Sequence, residues 1–220
     1  MKVWIAATLL GWIVAPALAQ GQSLPATRAY GLTFVYDRPG LNVPHWQIKI
    51  TPHSAAEYRG TPLKGVDPGM IFFAISDPGS ERLGDLLAGS HDMQPCETKS
   101  KGIANMGQKR IDFWPEGRPE SHCAFNYTDN KPLSEAADYL IAIANTIQTG
   151  VELDRLHRYD RLGLDAVMHR LVADVKEHRA VEVVAIRPTL QRLAEDEALM
   201  DRVRAKAQDL LTLASEEAVK

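Results

Sequence analysis

Cysteine is nearly absent: Cys96 and Cys123 are the two present in 220 residues. Each has one possible partner, and no CxxC spacing exists for a zinc module or a two-thiol redox cycle. The spacing favours a single disulfide over a reactive or metal-binding thiol. Long apolar runs are equally scarce. Beyond the first nineteen residues, none approaches the ~20 apolar residues needed to cross a bilayer. Excess basic charge is missing as well. Against 28 Asp plus Glu stand 25 Lys plus Arg, a formal charge of −3, and this balance argues against nucleic-acid binding. Local enzyme signatures are also lacking: no GxSxG elbow, HExxH, GxxxxGK[ST] or strand-linked GxGxxG occurs. Thr61-Pro62-Leu63-Lys64 and Thr98-Lys99-Ser100-Lys101 only echo the SxxK pattern, with threonine where a serine nucleophile is required. An active site assembled from distant carboxylates or histidines would leave no such local mark.

The first segment, MKVWIAATLLGWIVAPALAQ, is organised differently. Lys2 supplies a positive start, Val3 to Ala15 an apolar stretch, and Ala17-Leu18-Ala19 a small-residue cleavage motif, with Pro16 breaking the helix before it. About 13 apolar residues are too few for a membrane anchor, so the expected reading is a signal peptide over residues 1–19, cleaved before Gln20. Cleavage removes Lys2 and no acid, which moves the formal charge from −3 to −4. The expected product is a soluble exported chain in an oxidising compartment, periplasmic or extracellular, where the two cysteines close a disulfide.

The mature chain divides by the period of its apolar residues. After a flexible start at 20–30, residues 31–128 mostly alternate. Trp46, Ile48 and Ile50 share one face, with Gln47 and Lys49 on the other, as in a half-buried strand. A turn at Thr51–Ser54 leads to a second run through Glu57-Tyr58-Arg59, and Met70–Ile75 reads as a strand covered on both faces. Asp77 and Pro78 are expected to open a helix carrying Leu83, Leu86 and Leu87, and Gly89 to end it. Arg110–Trp114 and Ser121–Tyr127 predict a further hairpin, with Cys123, Phe125 and Tyr127 sharing its inner face. From 129 to 213 the period becomes helical: Leu133, Ala136, Leu140, Ile143, Ile147 and Val151 recur at three- and four-residue steps. Pro188 and Asp196 mark later helix starts, and 214–220 is a tail. The fold class expected is therefore α+β, a largely antiparallel disulfide-stapled sheet with one helix followed by an all-helical region.

Two charged clusters raise the question of chemistry. In His157-Arg158-Tyr159-Asp160-Arg161-Leu162-Gly163-Leu164-Asp165-Ala166-Val167-Met168-His169-Arg170, the pairs His157/Asp160 and Asp165/His169 each share a helix face and are competent metal ligands. They converge only if the chain folds back between them. A helix corner accounts for the same residues without a ligand. Gly163 takes a left-handed C′ position, Asp165 caps the next helix, Arg158 pairs with Asp154, Arg161 pairs with Asp165, and the leucines pack inside. The spacing favours the corner, with no metal or cofactor. The second cluster, Lys99, Lys101, Lys109 and Arg110, is an acid-free basic stretch interrupted by Gly102 and Gly107. It suits an anionic sugar, phosphate or envelope polymer, or simply a solvated loop.

The leader, the cysteine at Cys96, the run Cys123-Ala124-Phe125-Asn126-Tyr127-Thr128-Asp129-Asn130-Lys131 and the His157–Asp165 corner together resemble a set of bacterial exported proteins without an assigned activity. The resemblance covers the chain from about Gly31 onward and implies export, not mechanism. The function expected is a non-enzymatic binding or interaction module with an unidentified protein or cell-envelope partner. Two alternatives stand beside it: a metal-dependent hydrolase using His157, Asp160, Asp165 and His169, and an anionic-polymer binder using the Lys99–Arg110 loop.

Overall fold

The computed structural model describes residues 29–52, 55–61, 69–99, 102 and 104–217. The expected leader, its cleavage point, most of the flexible start and Lys101 lie outside them. Within them the chain is an α+β fold: a six-stranded antiparallel sheet followed by helices.

The strands are β1 (Tyr30–Asp37), β2 (His45–Ile50), β3 (Ala55–Gly60), β4 (Met70–Ala74), β5 (Gln108–Pro115) and β6 (Ser121–Phe125). Their order across the sheet is β4-β3-β2-β1-β5-β6. Three successive hairpin partners thus lie on one side of β1, and the β5/β6 hairpin lies on the other. Helix α1 (Asp77–Ala88) carries the chain from the β4 edge across to β5. Period-two alternation decides which face is buried. Leu32, Phe34, Trp46, Ile48, Tyr58 and Ile111 all point inward, held in line by the pairings Phe34↔Ile48, Phe34↔Ile111 and Ile48↔Tyr58. Each such side chain contributes about 1.5–3 kcal/mol by leaving water. Met70–Ile75 departs from the expectation of a doubly covered strand. β4 is an edge, and Phe72 on its outer side is 74% exposed.

α1 begins one residue earlier in its cap than expected. Ser76 is the N-cap, and its side chain accepts from the Gly79 amide, with Asp77 and Pro78 in the first turn and Gly89 as C-cap. The following segment is tied to β6 by Cys96 and Cys123, whose sulfurs lie at bonding distance with Cα atoms 5.6 Å apart. Cys123 is on the inner face, as alternation along β6 predicts.

Helix α2 (Lys131–Tyr159) spans 29 residues, about 43 Å at the standard rise. Asn130 caps it, accepting from the Leu133 amide while its own amide group donates to Ser90 O and Gln94 O. The first half of α2 lies on the sheet: Leu133, Leu140, Ile143 and Ile147 share one core with Leu83 and Leu87 of α1. Its second half belongs to another core, where Leu153 and Leu156 pack with α3 (Leu164–Lys176), α4 (Arg187–Glu195) and α5 (Asp201–Glu217). The two cores therefore meet inside α2 and not at residue 129, where the sequence period changes. One continuous helix has two different apolar partners along its length. α4 opens at Arg187 with Pro188 in its first turn, near the helix start expected there, whereas Asp196 caps a turn, accepting from the Ala198 amide, and α5 starts only at Asp201. No helix among the described residues is long and apolar enough to cross a membrane.

Candidate functional site

The His/Asp cluster is resolved into separate contacts. His157 Nε2 lies 2.7 Å from Asp196 Oδ2, which also takes the Arg161 guanidinium at 3.5 Å. Asp160 closes the end of α2, accepting from the Gly163 amide at 3.3 Å. Asp165 faces α5 and pairs with Lys206 at 2.8 Å and Arg202 at 3.0 Å. His169 is exposed on α3. Among the described residues no group of three or more His, Cys, Asp or Glu side chains has metal-binding geometry. The stretch is a helix corner, but its parts differ from those expected. Gly163 has φ −70°, right-handed and not left-handed, because a turn of 3-10 helix over Arg161–Gly163 continues the right-handed winding. Asp160 makes the capping bond and Asp165 does not. Leu156 and Leu164 pack inside, whereas Leu162 is 84% exposed.

These contacts set the charges. The hydrogen bond from His157 holds the Asp196 carboxyl below the usual carboxylate range, with the Ala198 amide adding to it. The Lys206 hydrogen bond does the same for Asp165, reinforced by Arg202.

The basic stretch is divided by the pleat. Lys109 and Arg110 are neighbours in β5 and therefore point to opposite faces. Arg110 is on the outer face near Asp112. Lys109 is buried, with its ammonium donating to Asn126 O at 2.9 Å and standing over the rings of Tyr36 and Phe125. Burial pushes its pKa down, and the Asp138 carboxylate opposes that shift. Lys99 is exposed and Lys101 lies outside the described residues. Lys109 is thus withdrawn from any anion-binding surface that Lys99 and Arg110 form.

A different feature has the shape of a binding site. Edge strand β4, the second half of α2 and the turn leading into α4 line a half-open cavity of about 450 Å³, within the usual range for small-molecule sites. Ile147, Val151, Ala185 and Ile186 form its apolar lining, and Phe72 and Tyr159 stand at it. These two aromatics are 74% and 76% exposed. Gly150 lets Ile186 pack close against α2 at this lining: a β-carbon there would run into the Ile186 side chain.

Arg155 and Arg158 line the same cavity. The partner that helical spacing assigns to Arg158 is taken elsewhere. Asp154 Oδ1 accepts from Arg192 at 2.7 Å and Asp154 Oδ2 from Thr189 Oγ1 at 3.1 Å, both on α4. Arg155 Nε is buried and has no hydrogen-bond partner. Sequence reasoning missed all four of Phe72, Arg155, Arg158 and Tyr159. The only available signal was negative: four charged or aromatic residues that no local pairing rule needed to leave free.

No protein-family model matches this chain, and no curated protein matches it. The geometry of the cavity therefore has to stand alone as the guide to what the chain does.

Proposed function

We propose that the chain is an exported, non-enzymatic binding module, and that its site is the groove between β4, α2 and α4, which takes a small molecule with an apolar body. The export reading draws on the leader-like first nineteen residues and on a bonded cysteine pair, which persists in oxidising compartments. The observation that carries the binding reading is the exposure of Phe72 and Tyr159 at a partly apolar cavity of about 450 Å³. Two large aromatics left in water lose the burial energy that every inner-face aromatic of the sheet obtains, and a ligand restores it. Concavity and size favour a small molecule over the flat, larger surface of a protein partner.

The test is a titration with Nile red, a neutral dye that brightens in apolar surroundings. Saturable binding is expected, and Phe72→Asp, a change at an exposed edge position, should abolish it without lowering the melting temperature. Absence of binding, or equal binding by Phe72→Asp, would remove the groove from consideration.

A further inference from the structure

We infer that the ligand of this groove is an amphipathic carboxylate, its apolar body on the Ile147–Ile186 lining and its anionic head between Arg155 and Arg158. This inference rests on the groove being the binding site and adds the chemistry of what enters it.

Three observations carry it. The first is how the neighbouring acids are used. Asp154 is held by Arg192 and Thr189, Glu152 by Arg170, and Asp196 by His157 and Arg161. These three carboxylates are each bound by a cation other than Arg155 and Arg158. Helical spacing would give Asp154 to Arg158, but α4 holds that carboxylate, and the buried Nε of Arg155 has no hydrogen-bond partner among the described residues.

The second is the state of Arg155. Its Nε–H is buried without an acceptor, a condition that costs about 1–3 kcal/mol when nothing meets the donor. The Nε–H is out of reach of the groove as it stands, and an incoming carboxylate gains it by a turn of the Arg155 side chain, which no hydrogen bond from Nε opposes. A carboxylate also matches the planar fork of a guanidinium through two parallel N–H···O bonds, which a neutral ligand does not offer.

The third is placement. Arg155 and Arg158 are three residues apart on α2 and so share one face of the helix. Val151, one turn before Arg155, continues that face into the apolar lining. Anion recognition and apolar burial therefore adjoin within a single cavity, the arrangement an acyl chain ending in a carboxylate requires.

The experiment uses the disulfide-bonded chain with decanoate and its neutral counterpart decanol as competitors for bound Nile red. Decanoate should displace the dye at a concentration about tenfold or more below that of decanol, the difference expected for charge-assisted bonds in a half-enclosed site. Arg158 is exposed, so Arg158→Glu should keep the fold, weaken decanoate about tenfold or more and leave decanol unchanged. Arg155→Gln should act in the same direction. Equal displacement by both competitors, or a decanoate preference that survives in Arg158→Glu, overturns the carboxylate assignment while dye binding and its loss in Phe72→Asp still uphold the groove. Failure of the dye to bind at all overturns both.

Discussion

Glu182 and Tyr139 lie 43 positions apart in sequence and share a buried hydrogen bond of 2.6 Å, Tyr139 Oη donating to Glu182 Oε1. The same carboxylate accepts from the Ser76 amide at 2.7 Å and from Ser76 Oγ at 2.9 Å. Ser76 is also the N-cap of α1. The C-terminal half thus places an anion at the positive end of a helix under the sheet, where backbone N–H groups and the helix dipole both favour it. Glu182 has φ +54°, a left-handed conformation that costs a side-chain-bearing residue about 1–2 kcal/mol. The three hydrogen bonds outweigh that cost. Glu182→Ala should therefore lower stability by about 3 kcal/mol, measured by urea denaturation, because it leaves buried donors without an acceptor. Gly79→Ala should also destabilise, since a β-carbon there meets both the Glu182 carboxylate and the Tyr139 hydroxyl. Unchanged midpoints in both variants would show that this contact is dispensable.

The Cys96–Cys123 link joins points separated by 27 residues. Closing a loop of that length removes unfolded-state entropy worth about 3–4 kcal/mol. Replacing both cysteines by serine should lower the melting temperature by an amount that reduction of the wild-type chain reproduces. A double variant as stable as the oxidised protein would mean that the link adds nothing to the fold.

Gly150→Ala tests which of two opposed effects dominates in the middle of α2. Alanine gains about 1 kcal/mol in helix propensity over glycine. Its methyl group would lie 2.5 Å from Ile186 Cγ2 and 3.2 Å from Ile186 Cβ, and overpacking against a β-branched side chain costs about 1–3 kcal/mol. Packing should win: thermal melts should show a loss of stability, and Nile red binding should weaken as Ile186 is displaced from the groove. A higher melting temperature would refute the close approach.

Acid should loosen the helical half. Asp165 and Asp196 are held below the ordinary carboxylate value, chiefly by hydrogen bonds from Lys206 and His157 respectively. A carboxylate depressed in the folded state stabilises the fold fully above its unfolded value near ~3.9. That contribution disappears as pH falls through the lower folded value. The melting temperature should consequently fall below about pH 4, and the double variant Asp165→Asn plus Asp196→Asn should show a shallower fall. Parallel pH profiles for variant and wild type would contradict this assignment.

Much of the architecture is legible in local pattern. Alternation at Trp46, Ile48 and Ile50 identifies an inner face because side chains on a strand must point to opposite sides, and the same rule places Cys123 where it meets Cys96. The stripe from Leu133 to Ile147 identifies the buried side of α2 for the corresponding helical reason. Local pattern also establishes that His157, Asp160, Asp165 and His169 lie around a bend.

The tertiary structure alone decided which partner each charge obtains. Asp154 is four residues from Arg158 on one helix, yet its carboxylate goes to Arg192 and Thr189 on α4, because the fold back through α3 brings α4 within hydrogen-bond reach. Asp165 similarly turns from the corner to Lys206. Met70–Ile75 reads as an interior strand from its apolar run but its strand lies at the sheet edge, since sequence carries no information about which strand ends without a neighbour. The groove follows from those non-local choices. Its exposed aromatics and its two arginines are ordinary residues in the sequence, and they become a site only where a sheet edge, the second half of one helix and the turn into another are brought together.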